Sequence, residues 1–312
     1  MANISAKDVA ALRKATGIGM MECKKALVEA EGDADKALKI LRERGLAVAA
    51  KKESRIAAEG VVDILKADNA TAIIEVNSET DFVAKNASFK EFVKGLLRTI
   101  IATRPANVEA LMAEKFDGTE LTVDGKLAEM RFTIGEKITI RRFAVVDGIT
   151  GTYVHHDSST AVVVLYEADE AAAANAGFAA FAKNIALQIA GNTPAPTYVS
   201  RDEVPASVLA DEINIQVTAM KNDPKNANKP DAILQKIVAG KMDKLFYANT
   251  CLLDQSYILD DDLSVAKYIA QSAKELGGAI AVKSFIIYNK GEGLEKREDD
   301  FAAEIAKLTG NA

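Results

Sequence analysis

Residues 71–102 read TAIIEVNSETDFVAKNASFKEFVKGLLRTIIA, and two periodicities meet inside them. AIIEV is an apolar run of strand length, while the segment from Ser88 places Phe89, Phe92, Val93, Leu96 and Ile100 on one helical face. Between the two stands Thr80-Asp81-Phe82-Val83. Connections that need only to turn use Gly, Asn, Ser or Pro, so a large aromatic beside an acid needs a separate reason. Upstream, VVDIL leads into the first run across Lys66-Ala67-Asp68-Asn69, a hairpin signal. The unit is therefore a β-hairpin followed by a helix.

The same order returns from Gly151, with TYVHH and AVVVLYE as strands and GFAAFAKNIALQIA as a helix. At a constant offset of 89 residues, Asn86, Phe89, Phe92, Lys94 and Ile100 match Asn175, Phe178, Phe181, Lys183 and Ile189, and Ile73 and Ile74 match Val162 and Val163. A duplicated α+β body is expected, each copy a sheet packed under a helix. The repeat also acts as an internal control. SETDFVAKN corresponds to EADEAAAAN, so Phe82 faces Ala171 and Val83 faces Ala172. A junction that required bulk for packing would require it in both copies. Phe82 is thus expected at the surface, facing a partner, the other reading being a gap peculiar to the first copy.

Outside the repeat, residues 4–50 read as three short helices. Ser5 and Asp8 resemble a capping box, and Val9, Leu12 and Ala15 share a face. A second helix turns Cys23, Ala26, Leu27 and Ala30 inward; Gly32 stops it and Asp33 starts the third, whose Ala37, Leu38 and Leu41 continue the core until Gly45. LAVAAKKESRIAAEG follows as a helical extension or basic linker. Between 202 and 247 two patterns flank NDPKNANKPD, with stripes of Leu209, Ile213, Val217, Met220 and of Leu234, Ile237, Met242, Leu245. This is a helical hairpin inserted before the last strand, AIAVKSFIIY. The tail, DDFAAEIAKL, patterns as an amphipathic helix through Phe301, Ile305 and Leu308. The division expected is a head at 1–54, core halves at 55–148 and 149–290, the hairpin at about 202–247 within the second half, and a C-terminal module at 291–312.

With 312 residues, 49% hydrophobic and 27% charged, the chain has the composition of an ordinary globular protein of two or three domains. Residues 1–56 carry 12 Lys and Arg against 8 Asp and Glu, the remainder 27 against 37. A weakly basic head on an acidic body lacks the basic face of a nucleic-acid binder. No apolar run approaches the roughly 20 residues of a membrane span, and no signal peptide precedes the first helix. A reducing cytoplasm is the simplest compartment. Cys23 and Cys251 form no CxxC, and Cys23 falls on its helix's apolar stripe, where a buried structural thiol is expected. The only histidines, His155 and His156, are expected on opposite faces of a strand and so unable to share a metal. There is no P-loop, and no carboxylate pair stands out. The pattern argues against an enzyme.

Three stretches, LRKATGIGMMECKKALVEAEGDADKALKILRERG, VNSETDFVAKN and LLDQSYILDDDLSV, closely resemble the bacterial elongation factor Ts family. One departure is Ser256-Tyr257, where the family usually has Pro-Phe. The resemblance implies a ubiquitin-associated-like three-helix head, two related α+β halves, a helical-hairpin protrusion and a C-terminal helix. It implies guanine-nucleotide exchange on elongation factor Tu, in its GDP-bound and nucleotide-free forms, with no cofactor or metal of its own and no direct contact with nucleic acid or membrane. Asp81 and Phe82, within Thr80–Val83, would intrude beside the partner's nucleotide and magnesium site. Arg13, Met20 and Met21 of the head, with His155, would touch a helix of the partner's GTPase domain, the other reading of Met20 and Met21 being core packing of the head. A homodimer through the hairpin varies among relatives. Two rivals stand beside this: a ubiquitin-like binding adaptor, suggested by the head alone, and a thiol-dependent enzyme, which needs Cys23 exposed.

Overall fold

The computed structural model describes residues 4–16, 18–52, 54–222 and 230–295. The expected Ala15 side-chain position, most of the NDPKNANKPD connection and the tail with Phe301, Ile305 and Leu308 lie outside the described residues. The fold is α+β. It opens with helices α1 (Ala6–Thr16), α2 (Met20–Glu29) and α3 (Ala34–Lys52). Ser5 N donates to Asp8 Oδ2 at 3.1 Å and Asp8 N to Ser5 Oγ at 3.2 Å, closing the capping box. Gly32 takes the left-handed region (φ 91°), and Asp33 Oδ1 accepts from Asp35 N and Lys36 N to start α3. Cys23 is fully buried with Val9, Leu12, Ala26, Leu27, Ala37 and Leu41.

Strands β1 (Glu59–Lys66) and β2 (Ala70–Ser78) form the first hairpin, followed by α4 (Asp81–Lys85), α5 (Ala87–Thr103), α6 (Val108–Ala113), α7 (Val123–Ile134) and β3 (Ile138–Asp147). The antiparallel order is β1-β2-β3. The second half runs β4 (Ile149–Val154), β5 (Thr160–Ala168), α8 (Glu170–Ala174) and α9 (Phe178–Gly191). The inserted hairpin follows: α10 (Ala206–Asn222), α11 (Asp231–Lys241), a π-helical turn Met242–Tyr247 and α12 (Ala248–Thr250). A short pair, β6 (Ser256–Tyr257) with β7 (Asp260–Ser264), then α13 (Val265–Leu276) and β8 (Ile280–Asn289) complete the described chain, with sheet order β4-β5-β8.

Each sheet carries its helix on one face. Ala72, Ile74 and Val76 pack with Phe89, Phe92, Val93 and Leu96; Val162, Val164 and Tyr166 pack with Phe178, Phe181 and Ile185. The opposite faces meet each other through Val62, Ile73, Ala161, Val163 and Tyr288. β2 and most of β5 are therefore buried on both sides, which is why each reads as a continuous apolar run.

Several expectations are corrected. The bulges that mark the two central strands fall at Glu75/Val76 and at Leu165/Tyr166, an offset of 90. In the helices Asn86 still matches Asn175 at 89, so the second copy is one residue shorter between strand and helix. Ile73 corresponds to Val163 and Ile74 to Val164, not to Val162 and Val163. A slip of one residue exchanges the two faces, and with both faces apolar the alternation gave no sign of it. Gly45 does not end α3; a Cβ there would stand 3.2 Å from the Cβ of Phe132, which α7 sends against the head core. The glycine serves close approach rather than a helix stop. In the insert, Leu209, Val217, Met220, Leu234, Ile237 and Met242 pack as expected, but Ile213 and Leu245 are exposed. Leu245 lies in the π-turn, whose wider spacing rotates it off the stripe.

The seam between the sheets is closed by polar groups. Thr71 Oγ1 and Thr150 Oγ1 hydrogen-bond at 2.6 Å, and Lys66 Nζ donates to Thr150 O at 2.6 Å. Glu75 is fully buried and accepts from Arg141 Nη1 (2.9 Å), Arg142 Nε (2.6 Å), Asn77 Nδ2 (3.1 Å) and Gly291 N (2.8 Å). Burial alone would raise its carboxyl; the bonds from Gly291, Arg141, Asn77 and Arg142 outweigh it and hold the group below its ordinary value. The bulge makes this possible. Glu75 lies opposite Arg142 and Val76 opposite Ile140, so Arg141 is the extra residue and both guanidinium groups reach one carboxylate.

Glu75→Ala should destabilise the protein by about 3–5 kcal/mol in a urea melt at neutral pH, because the partly buried Arg141 and Arg142 lose their shared counter-charge and the buried donors of Asn77 and Gly291 lose their acceptor. The sign of the pH effect follows from the direction of the shift. A carboxyl below its unfolded value of 4.5 contributes fully above that pH, and its contribution is lost as pH falls through the folded value. Acidification below pH 4.5 should therefore weaken the natural protein more steeply than Glu75→Gln.

Candidate partner-binding site

The Thr80–Val83 turn is built where β2 leaves the sheet. Ser78 Oγ donates to Thr80 O at 2.9 Å. Glu79 Oε1 accepts from Lys137 N at 2.6 Å, and Arg55 Nη1 donates to Glu79 Oε2 at 3.1 Å. Glu136 takes both donors of Thr80, the backbone N at 3.0 Å and Oγ1 at 2.7 Å. The threonine hydroxyl is spent on Glu136 and makes no cap bond to α4. On the far side, Asn86 Oδ1 accepts from Ser88 N at 2.8 Å and starts α5. A five-residue helix is thus clamped at both ends.

Its side chains divide sharply. Val83 and Ala84 enter the first core, so Val83, expected with its neighbours at the partner surface, is occupied in packing and drops out of the contact set. Phe82 points outward with 78% of its surface exposed. Asp81 pairs with Lys85 at 2.6 Å, and the same ammonium lies 5.8 Å from the Phe82 ring centroid. The Lys85 hydrogen bond holds the Asp81 carboxyl below the usual carboxylate range, so it is charged at neutral pH. In the second copy Ala171 is likewise exposed and Ala172 buried. The outward direction belongs to the repeat; the aromatic belongs to this copy alone. Covering a phenyl group this exposed yields about 1.5–3 kcal/mol.

The head carries a second apolar surface. Met20 and Met21, at the start of α2, are 51% and 64% exposed, and Arg13 on α1 is exposed. Val28 is also exposed, beside Met21 in a shallow depression completed by Lys24, Lys25, Glu29 and Arg44. Val28 was missed in the sequence although its signal was present: it sits two turns from Met21, off the stripe of Cys23, Ala26 and Leu27. His155 stands on a third support, the β4–β5 connection, half-buried, with Nδ1 2.9 Å from Tyr153 Oη. The two histidines do not point to opposite faces. β4 ends at Val154, so both lie in the turn, with ring centroids 4.4 Å apart. Among the described residues no group of three or more His, Cys, Asp or Glu side chains could hold a metal ion. Cys23 is enclosed, its Sγ donating to Ile18 O at 3.5 Å.

The family model described as "Elongation factor TS" matches residues 79–292, beginning at the clamped turn. Among similar proteins, the elongation factor Ts of Syntrophotalea carbinolica is 42% identical over 98% of this chain and 99% of its own. That of Pediococcus pentosaceus is 43% identical over 99% of this chain and 100% of its own, and that of a Clostridium botulinum strain 41% over 98% and 99%.

Neighbouring substitutions should separate the two kinds of side chain in this turn. Phe82→Ala should change the unfolding free energy read from a urea melt by no more than about 0.5 kcal/mol. Val83→Ala should cost about 2 kcal/mol through the cavity it leaves.

Proposed function

The chain belongs to the elongation factor Ts family, a family of translation elongation, and from that premise we propose that it binds elongation factor Tu·GDP and promotes release of the GDP. The observation that carries the reading is Phe82: a fully presented aromatic on a turn clamped at both ends, with alanine at the duplicated position. Packing within the chain does not require the ring, and a rigid mount suits a group that must displace something. In the proposed complex Phe82 displaces apolar groups behind the partner's magnesium site. Asp81 disturbs the hydrogen bonds that orient the magnesium ligands. Magnesium neutralises diphosphate charge, so losing its support loosens the nucleotide.

Linkage supplies the rest. A protein that binds the nucleotide-free partner better than the GDP-bound form must weaken GDP by the same factor. Exchange is accelerated in both directions, and the cellular excess of GTP sets which way it runs. No bond is made or broken, so the protein acts as an exchange factor and not as an enzyme. Arg13, Met20 and Met21, with Val28 added from the structure, and His155 supply further grip on the GTPase domain; thioethers adapt well to irregular apolar surfaces. The hairpin offers a surface for self-association. No helix among the described residues is long and apolar enough to cross a membrane, and the proposed work belongs in the cytoplasm.

The test is stopped-flow release of a fluorescent GDP from elongation factor Tu. The natural protein should accelerate release, and Phe82→Ala should slow the limiting rate by about tenfold or more, with the half-saturating concentration changed much less. Asp81→Ala should act in the same direction and more weakly. Acceleration by Phe82→Ala equal to that of the natural protein would remove the ring from the mechanism. Deleting residues 1–54 should instead raise the half-saturating concentration by about tenfold or more, while a circular-dichroism melt of the remaining body stays cooperative.

A further inference from the structure

The direction in which Phe82 projects is set by a segment of the chain far from it in sequence. Residues 132–137 form the last turn of α7 and the entry to β3. At one end Phe132 packs against the head core and fills the approach that Gly45 leaves open. At the other end Glu136 holds Thr80 by its N–H and its hydroxyl, and Lys137 N holds Glu79. Gly135, in the left-handed region at φ 82°, ends the helix and turns the chain between them, and Arg131 Nε donates to Ile138 O at 2.8 Å across the same corner. Bonds to an ionised carboxylate are stronger than neutral ones, and a packed aromatic gives a rigid seat. Six consecutive residues therefore touch the head and both residues that lead into Asp81-Phe82.

We propose that this segment is a strut, with Phe132 and Glu136 as positioning residues that fix the Phe82 turn relative to the head. A partner gripped by the head then meets the ring at one set offset, instead of waiting for two independent parts to align. Holding reacting groups in one geometry in this way is worth large factors in rate. The inference rests on the functional reading above, but the strut itself is a property of the free protein and can be read without any partner.

The experiment combines amide hydrogen exchange on the free protein with the GDP-release titration, and a urea melt checks that each variant is folded. Glu136→Ala should speed exchange at the Thr80 amide by about tenfold and lower the limiting release rate by a similar factor, at an unchanged half-saturating concentration. Glu136→Gln can still accept from Thr80 N and bond its hydroxyl, and should return both to within about twofold of the natural protein. Phe132→Ala removes neither of the bonds between Thr80 and Glu136, yet should also speed Thr80 exchange, by about threefold, and Phe132→Leu should restore most of this. If Glu136→Ala does not fold, Thr80→Val removes one of the two bonds from the other side and serves in its place. Unchanged Thr80 exchange in Glu136→Ala, or in a folded Phe132→Ala, overturns the strut. No GDP release by the natural protein defeats the functional reading alone, and the exchange arm still judges the strut.

Discussion

A carboxylate with no access to water must find all its ligands inside the protein, and Glu75 finds them on three separate stretches of chain. Asn77 comes from its own strand, Arg141 and Arg142 from β3, and the N–H of Gly291 from beyond β8, at the end of the other half. An uncompensated buried charge is strongly destabilising, so the native arrangement is the one in which these stretches converge. That condition sets the register of β3 on β2, presses the second half against the first, and draws the 291 corner in so closely that a Cβ on Gly291 would stand 2.2 Å from Ala58 O. Arg142, stacked 4.1 Å from the Tyr288 ring centroid, ties the same network into the apolar seam.

The consequence reaches the functional turn directly. In the β2–β3 register Ser78 lies opposite Ile138. Continued past the end of the sheet, the same register sets Glu79 against Lys137 and Thr80 against Glu136, which are the pairs that clamp the turn. A strand slipped by one residue would leave Thr80 without its carboxylate and Phe82 without a fixed direction. The buried charge at mid-sheet and the exposed aromatic at its edge are thus two ends of one alignment. The second copy has Leu165 where the first has Glu75, and a bare alanine turn where the first has Phe82. One half carries both the polar lock and the aromatic; its twin supplies the surface that buries the lock.

Much of this was legible beforehand because the relevant signals are local. The duplicated hairpin-and-helix unit, the capping box at Ser5, the inward Cys23 and the outward Phe82 each rest on periodicity, on spacing or on one copy checking the other. Other features leave no mark that a period can carry. Strands apolar on both faces hide a one-residue slip. A glycine that stops a helix and one that admits a neighbouring ring look alike. Two adjacent histidines are on opposite faces only while the strand lasts, and β4 ends just before them.

The sequence by itself determined the three head helices, the hairpin-and-helix unit with its second copy, the helical insert and the unusual content of the Thr80–Val83 junction, since each shows in a local period or in one copy set beside the other. α6, α7, β3 and α13 carry no such signal and came from the structure. Only the tertiary structure decided which way Val83 faces, that Phe132 of the body completes the head, and that Glu75, Glu136 and Glu79, among 45 Asp and Glu residues, are the acids that hold the sheet and the turn. The reason is physical. A carboxylate acquires its role from the donors that surround it, and here those donors lie from two to more than two hundred residues away in sequence. No local pattern records that distance, and folding alone brings the donors together.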